Sequence, residues 1–354
     1  MKILTNKAKT QKWYRKPLDG CVSSKGKPYN ITLKKGTVNK LLVMFAGGGA
    51  SWNEDTAAKP VTALTALGKK EALYISDVSP MILRLMHVGI LNTNDRRNPF
   101  HNWHILALPY ATADFHIGNN KYAYKDVKAG NKVLHHNGMK NVEAALDVLK
   151  EFIRETPEML VIAGLSAGAF GCVAHCPQIR NLYPDCNNVV VYSESSHLHS
   201  SLWPHIAKDV WKVSSDLANY IKSEDLIVDL FRYAQDNMPS HTLFLHFNSL
   251  WDKEFIKFMN KMNYGRYSVE PQSLQEYNDT LINAVRKLKS EITDYSYFLT
   301  DYRKNQKDGT TPHNFSAASK LLYGKTQDGM SIANWLMRAF EKKPLDIGKE
   351  FVKQ

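Results

Sequence analysis

Five apolar residues, Met159-Leu160-Val161-Ile162-Ala163, run directly into Gly164-Leu165-Ser166-Ala167-Gly168. A continuous apolar run reads as a strand buried on both faces, the kind found in parallel sheets. The small residues that follow, Ala169 to Gly171, can open a helix. A chain that turns from strand to helix over so few residues bends too tightly for side chains two positions either side of the serine, and glycines stand at both. The serine then projects alone above the sheet with a helix N-terminus behind it. This unit commits the chain to a strand–turn–helix and makes Ser166 a candidate nucleophile.

Other segments extend the pattern. Leu41-Leu42-Val43-Met44-Phe45 is a second continuous apolar run and leads into Gly47-Gly48-Gly49. Leu73–Ser76 and Trp103–Pro109 read as further short strands, and Tyr29–Leu33 as another after Gly26-Lys27-Pro28. Val142, Ala145, Leu146, Leu149 and Phe152 recur at helical spacing over 138–152. Val189-Val190-Val191 and Leu243-Phe244-Leu245 are buried strands, and 331–340 is a final helix that packs on the sheet. Residues 200–238 and 254–300 read as helical insertions or outer helices near the site. Strands alternating with helices predict a mostly parallel central sheet with right-handed crossovers.

Composition narrows the class. The chain has 354 residues, 44% of them hydrophobic and 23% charged, the balance of a globular protein with ample core. No apolar stretch nears the ~20 residues needed to span a bilayer. The N-terminus has no apolar core of a secretory signal, and four cysteines are too few for a disulfide framework. Both point to the cytoplasm. The net charge of +12 is unevenly placed, for residues 1–40 hold eleven Lys/Arg and only Asp19 as an acid, and residues 41–354 are nearly balanced. The division is a basic N-terminal segment, 1–40, that is part of the fold, followed by one domain over 41–354. The basic segment reads as a solvated edge whose lysines block strand pairing. A contact with an anionic polymer or membrane surface is the functional alternative. No nucleic-acid-binding motif is present.

A serine hydroxyl needs a neutral imidazole to take its proton and a carboxylate to fix the imidazole tautomer. In α/β-hydrolases these follow in the order Ser, Asp/Glu, His. His313 lies late in the chain in Gly309-Thr310-Thr311-Pro312-His313, a loop before a helix. His197, His199 and His205 come too early unless the acid precedes Ser166. Two carboxylates end strands: Asp252, in Ser249-Leu250-Trp251-Asp252, is favoured, with Glu194 as the alternative acid. Asp252 also begins an apparent helix, so N-capping competes for it. The oxyanion of an acyl-transfer intermediate needs backbone N–H donors. The glycine triplet supplies them through Gly48 and Gly49, and Ala167 adds another. Ala50-Ser51-Trp52 lacks the Gly-Lys-Ser/Thr ending of a phosphate loop. Cys172, His175 and Cys176 lack a fourth ligand at zinc-finger spacing and read as buried residues, so no metal is expected. No cofactor is expected either.

Taken together, these segments resemble the pectinacetylesterase family of Notum-like serine carboxylesterases. Phe45-Ala46-Gly47-Gly48-Gly49-Ala50-Ser51-Trp52-Asn53 resembles its glycine-rich oxyanion segment. Leu108-Pro109-Tyr110-Ala111-Thr112-Ala113-Asp114 resembles its Pro-Tyr-Cys-Thr-Gly-Asp segment. His136-Asn137-Gly138 with Asn141 resembles the start of the helix before the nucleophile strand. Gly164–Gly168, Trp251-Asp252 and Pro312-His313 fall where the family's nucleophile, acid and histidine do. The resemblance implies an α/β-hydrolase fold with Ser166, Asp252 and His313 as catalytic residues and Gly48, Gly49 and Ala167 as oxyanion donors. Ser51 and Ala111 stand where the family has cysteines, which implies a lost disulfide. Glu194-Ser195-Ser196 stands for its Asp-Ser-Gly, and Ala113 for a glycine. These departures border the pocket.

The expected activity is hydrolysis of small-acyl, acetyl-type esters, on saccharides or other small molecules, through an acyl-enzyme. The alternatives are a longer-chain lipid or protein deacylase, an acyltransferase, and a non-catalytic glycan- or membrane-binding protein on a hydrolase scaffold.

Overall fold

The structure is a computed structural model and describes residues 1–5, 8–61, 71–127 and 130–353. Lys7, one of the eleven basic residues of the N-terminal segment, lies outside them. The strands are β1 (Lys2–Ile3), β2 (Trp13–Val22), β3 (Pro28–Lys34), β4 (Lys40–Phe45), β5 (His104–Leu108), β6 (Asn120–Asp126), β7 (Gly130–His136), β8 (Met159–Leu165), β9 (Val189–Glu194), β10 (Leu243–Ser249) and β11 (Tyr295–Thr300). Nine of them form one sheet in the order β1-β2-β3-β5-β4-β8-β9-β10-β11.

From β5 to β11 every neighbouring pair is parallel. Their C-terminal ends lie level: Phe45 pairs with Leu108 and Gly164, Leu165 with Glu194, Glu194 with Phe247, and Ser249 with Thr300. That edge carries the site, as is usual for α/β sheets.

Period-two alternation divides the apolar side chains between two cores. Val43, Phe45, Leu160 and Ile162 enter one, together with Phe170 and Val173 of helix α2 (Ala167–Asn181); helix α1 (Gly138–Phe152) adds Val142 and Leu146. Leu42, Met44, Val161 and Leu165 enter the other with Trp335 and Leu336, carried by the last long helix, Ile332–Phe340.

Three readings change, and one hairpin is added. Leu73–Ser76 is not a sheet strand; Tyr74 makes only isolated bridges to Gly49 and Pro60. The stretch 254–300 is not helical throughout. Helices α3 (Lys253–Tyr264) and α4 (Pro271–Glu291) fill most of it, but it closes in β11, all six residues of which are buried. Residues 120–136 form a β6–β7 hairpin. The basic segment does form one edge of the sheet, through β1 and β2, but its Tyr29–Leu33 strand, β3, is internal, between β2 and β5. Lys34 is wholly buried, its ammonium donating to the carbonyls of His101 (2.5 Å) and Trp103 (3.4 Å). Desolvation lowers its pKa to about 8.

Candidate active site

Ser166 stands between β8 and α2 with φ 56° and ψ −125°, a left-handed conformation that L-residues avoid. The neighbouring backbone explains the glycines. A Cβ on Gly164 would lie 2.0 Å from the Gly168 carbonyl oxygen, and one on Gly168 would lie 2.2 Å from that of Phe45. The elbow is pinned from both sides of the chain: Ser166 N–H donates to the Glu194 carbonyl (2.8 Å), and the Ser166 carbonyl accepts from Ala169 N–H (2.8 Å). Ser166 is 6% exposed.

Asp252 and His313 meet. His313 Nδ1 donates to Asp252 Oδ2 at 2.6 Å. The other carboxylate oxygen, Oδ1, accepts the N–H groups of Glu254 (3.0 Å) and Phe255 (3.1 Å) at the start of α3. Capping and imidazole orientation, competing readings in the sequence, are performed by different oxygens of one carboxylate. The loop bearing His313 is tied to the end of β10 by Ser249 Oγ donating to the Pro312 carbonyl (2.9 Å) and Thr311 N–H donating to that of Trp251 (2.7 Å). Burial opposes protonation of His313, but the charge and hydrogen bond of Asp252, with smaller contributions from Glu254 and Glu194, outweigh it and raise its pKa. The Phe255 ring packs edge-on against the imidazole at 4.8 Å.

Glu194 is not brought to His313 as its hydrogen-bond partner. One of its oxygens accepts the Ser316 N–H (2.8 Å) and the other accepts from the Tyr192 hydroxyl. Desolvation raises its pKa against these bonds. Glu194 therefore holds two pieces at once: its carbonyl anchors Ser166 and its side chain anchors the segment just after His313.

The glycine triplet lies beside the elbow, and its residues differ in what they do. A Cβ on Gly47, absent from the sequence-derived donors, would fall 2.6 Å from the Ser166 Cβ, so this is where the loop meets Ser166. Gly48 gives its carbonyl to Ile75 N–H (2.8 Å), and Gly49 has φ 81° and bridges Tyr74. Among the described residues no protein acceptor takes the N–H of Gly48, Gly49 or Ala167. Such free donors above a strand–helix turn suit a developing oxyanion.

The segment 110–118 supports this loop, a role invisible in the sequence because it is made across 70 residues. His116 Nε2 donates to the Ala46 carbonyl (2.9 Å), and His175 Nε2 donates to the His116 carbonyl (2.8 Å). Burial lowers the His116 pKa to about 3, so it acts as a neutral donor. Asp114, wholly buried, accepts from the Thr112 hydroxyl (2.6 Å) and from the N–H groups of His116 (3.1 Å) and Gly138 (2.8 Å). Desolvation raises its pKa to about 7. Ala113, in place of the family glycine, has φ 59°.

The remaining candidates lie elsewhere. His197 bonds to Thr280, His199 to Asp225 and Glu224, and His205 to Asp209. Ser51 and Ala111 are both buried, Ser51 facing Thr56. Cys172 and Cys176 are buried free thiols turned to the Ala169 and Val173 carbonyls.

A family model described as pectinacetylesterase matches residues 18–201. Among solved structures, the chain is similar to the Wnt deacylase Notum from Drosophila, with a TM-score of 0.65 and 16% identity over 94% of this chain and 95% of that one. At this identity the likeness concerns the fold, which is the α/β-hydrolase fold expected from the elbow.

Proposed function

The chain belongs to the pectinacetylesterase family and is a carboxylesterase-type hydrolase, and from this premise we propose that it cleaves esters by a serine mechanism through an acyl-enzyme. One observation carries the reading: the 2.6 Å bond from His313 Nδ1 to Asp252, which leaves Nε2 of the same ring as the proton acceptor. Ser166 Oγ attacks the ester carbonyl as His313 Nε2 takes its proton. The Gly48, Gly49 and Ala167 N–H groups receive the oxyanion. The tetrahedral intermediate collapses, His313 protonates the departing alcohol, and water deacylates Ser166 by the same route in reverse. Asp252 holds the tautomer and stabilises the imidazolium without itself being protonated.

The acyl group we assign is small and acetyl-type, carried by a saccharide or another small alcohol. Family membership supports this. A longer acyl chain is the second reading, favoured by a cavity of about 310 Å³ beside the elbow, walled largely by apolar side chains such as Met44, Leu83, Met86 and Leu165. Covalent labelling with a fluorophosphonate probe tests the mechanism. Wild-type protein is expected to label and to hydrolyse p-nitrophenyl acetate, and Ser166→Ala to do neither. Folded wild-type protein that does not label would leave a binding role on a hydrolase scaffold.

A further inference from the structure

Three exposed segments at the end of the sheet that carries Ser166 combine lysines with bare apolar side chains. We propose that they form a docking surface for an anionic lipid bilayer.

The β2–β3 turn, 23–27, ties the three together. Ser24 N–H donates to the Ala111 carbonyl (2.7 Å), just past the end of β5, which fixes the turn at the site end of the sheet. It holds the β6–β7 hairpin: His135 N–H donates to the Ser24 carbonyl (3.0 Å), and a Cβ on Gly26 would lie 3.3 Å from the His135 ring. It also holds segment 76–90, for Ser24 Oγ donates to the Ser76 carbonyl (2.9 Å) and Lys27 pairs with Asp77 at 3.2 Å. That segment ends with Ile90 N–H on the Ser316 carbonyl (2.8 Å), three residues beyond His313. It therefore joins the turn to the loop that carries His313.

Apolar exposure is concentrated here. Among the described residues ten large apolar side chains are exposed, and six of them, Val61, Met81, Ile82, Val88, Val127 and Val133, lie on these segments or beside the glycine loop. Val127, just beyond β6, is fully exposed and Met81 is 72% exposed. Val61 N–H donates to the carbonyl of Tyr74 (2.7 Å), the residue that bridges Gly49. Leaving such side chains in water is a cost that burial in hydrocarbon recovers.

Charge selects the partner. The hairpin register places Lys121 opposite His135, Ala123 opposite Val133 and Lys125 opposite Asn131, all on one face. Tyr122 and Tyr124, on the other face, pack against the core. The outward face thus shows Val133 between Lys121 and Lys125. Lys25, Lys27 and Lys132 are exposed beside it. Against these five lysines the three segments carry two acids, Asp77 and Asp126. A soluble polyanion satisfies the lysines and leaves Val127 and Met81 in water. A bilayer takes both, with the apolar side chains below the headgroups and the ammoniums at the phosphates.

Flotation with phosphatidylcholine vesicles, with and without phosphatidylserine, tests the surface. Wild-type protein is expected to float with the anionic vesicles alone and to be released by salt. Lys121→Glu with Lys125→Glu should weaken binding at least tenfold. Val127→Asp with Met81→Asp should weaken it as far, and thermal melts verify that both pairs fold. Ser166→Ala should float like wild type, so docking is judged separately from the esterase reading. Absence of flotation overturns the proposal. So does flotation that survives Val127→Asp with Met81→Asp, and soluble heparin bound by the same lysines would then mark a polymer site.

Discussion

The carboxylate of Asp252 serves the His313 imidazole with one oxygen and the first turn of α3 with the other. The two roles separate on substitution. Asp252→Asn keeps an acceptor for the helix N–H groups but loses the charge that fixes the tautomer. We expect kcat to fall on the order of 10³- to 10⁴-fold with little change in melting temperature. Asp252→Ala also removes the cap, and should cost a further ~1 kcal/mol of stability. Ester hydrolysis and thermal melts on the two variants measure this.

The raised pKa of His313 sets the acid limb of the pH profile. The base works only when neutral, so activity falls as pH drops through its pKa. The midpoint in kcat/KM is expected above the ordinary imidazole value of about 6.5. Stability has the opposite sense. A raised folded-state pKa contributes stability fully below the unfolded value, and that stability is lost as pH rises through the folded one. Asp252→Asn should move the acid limb to lower pH; a limb that stays in place would mean another group sets it.

Glu194 gives a contrasting pair. Glu194→Gln retains an acceptor for the Ser316 N–H, and we expect roughly tenfold loss of kcat with the acid limb shifted slightly to lower pH. Glu194→Ala strands that N–H in the core, at about 1–3 kcal/mol, while the Tyr192 hydroxyl keeps the Ser316 hydroxyl at 3.1 Å as a partner. Denaturant unfolding separates the two. Should Glu194→Gln abolish turnover as fully as Asp252→Asn does, the orienting role passes to Glu194.

Strain at the elbow is measurable by itself. Ser166→Ala should be inactive with unchanged stability, because alanine shares the steric penalty of the left-handed region. Ser166→Gly should be inactive and about 1 kcal/mol more stable. Equal stability for the two would refute the strain.

Gly47→Ala tests the contact between the glycine loop and the nucleophile. Its Cβ would fall 2.4 Å from the Leu165 carbonyl oxygen and 2.6 Å from the Ser166 Cβ. Fluorophosphonate labelling is expected to slow by at least tenfold, and an unchanged rate would show that the loop yields.

The strands legible in the sequence are those with continuous apolar runs. β4, β8, β9 and β10 are buried on both faces and carry unbroken apolar runs, Leu41–Phe45, Met159–Ala163, Val189–Val191 and Leu243–Leu245, with their polar residues only at the strand ends or beyond the run. β11 was hidden because Tyr295-Ser296-Tyr297-Phe298-Leu299-Thr300 mixes hydroxyls with aromatics directly after a long helix. β2 carries Arg15, Lys16 and Pro17 and shows no strand pattern. At the site, the elbow was legible because its geometry is local. The support given to Ala46 by His116, and to Ser316 by Glu194, joins residues 70 and 122 positions apart and leaves no local trace.

The left-handed backbone at Ser166 also bears on how a chain like this decays. Asp252 caps a helix, so selection for folding alone would retain it after catalysis was lost. Nothing in the packing rewards a serine at position 166, where glycine would relieve the backbone. In a descendant freed from catalysis, drift should erase the serine first. The serine is thus a sharper mark of a working enzyme than the acid.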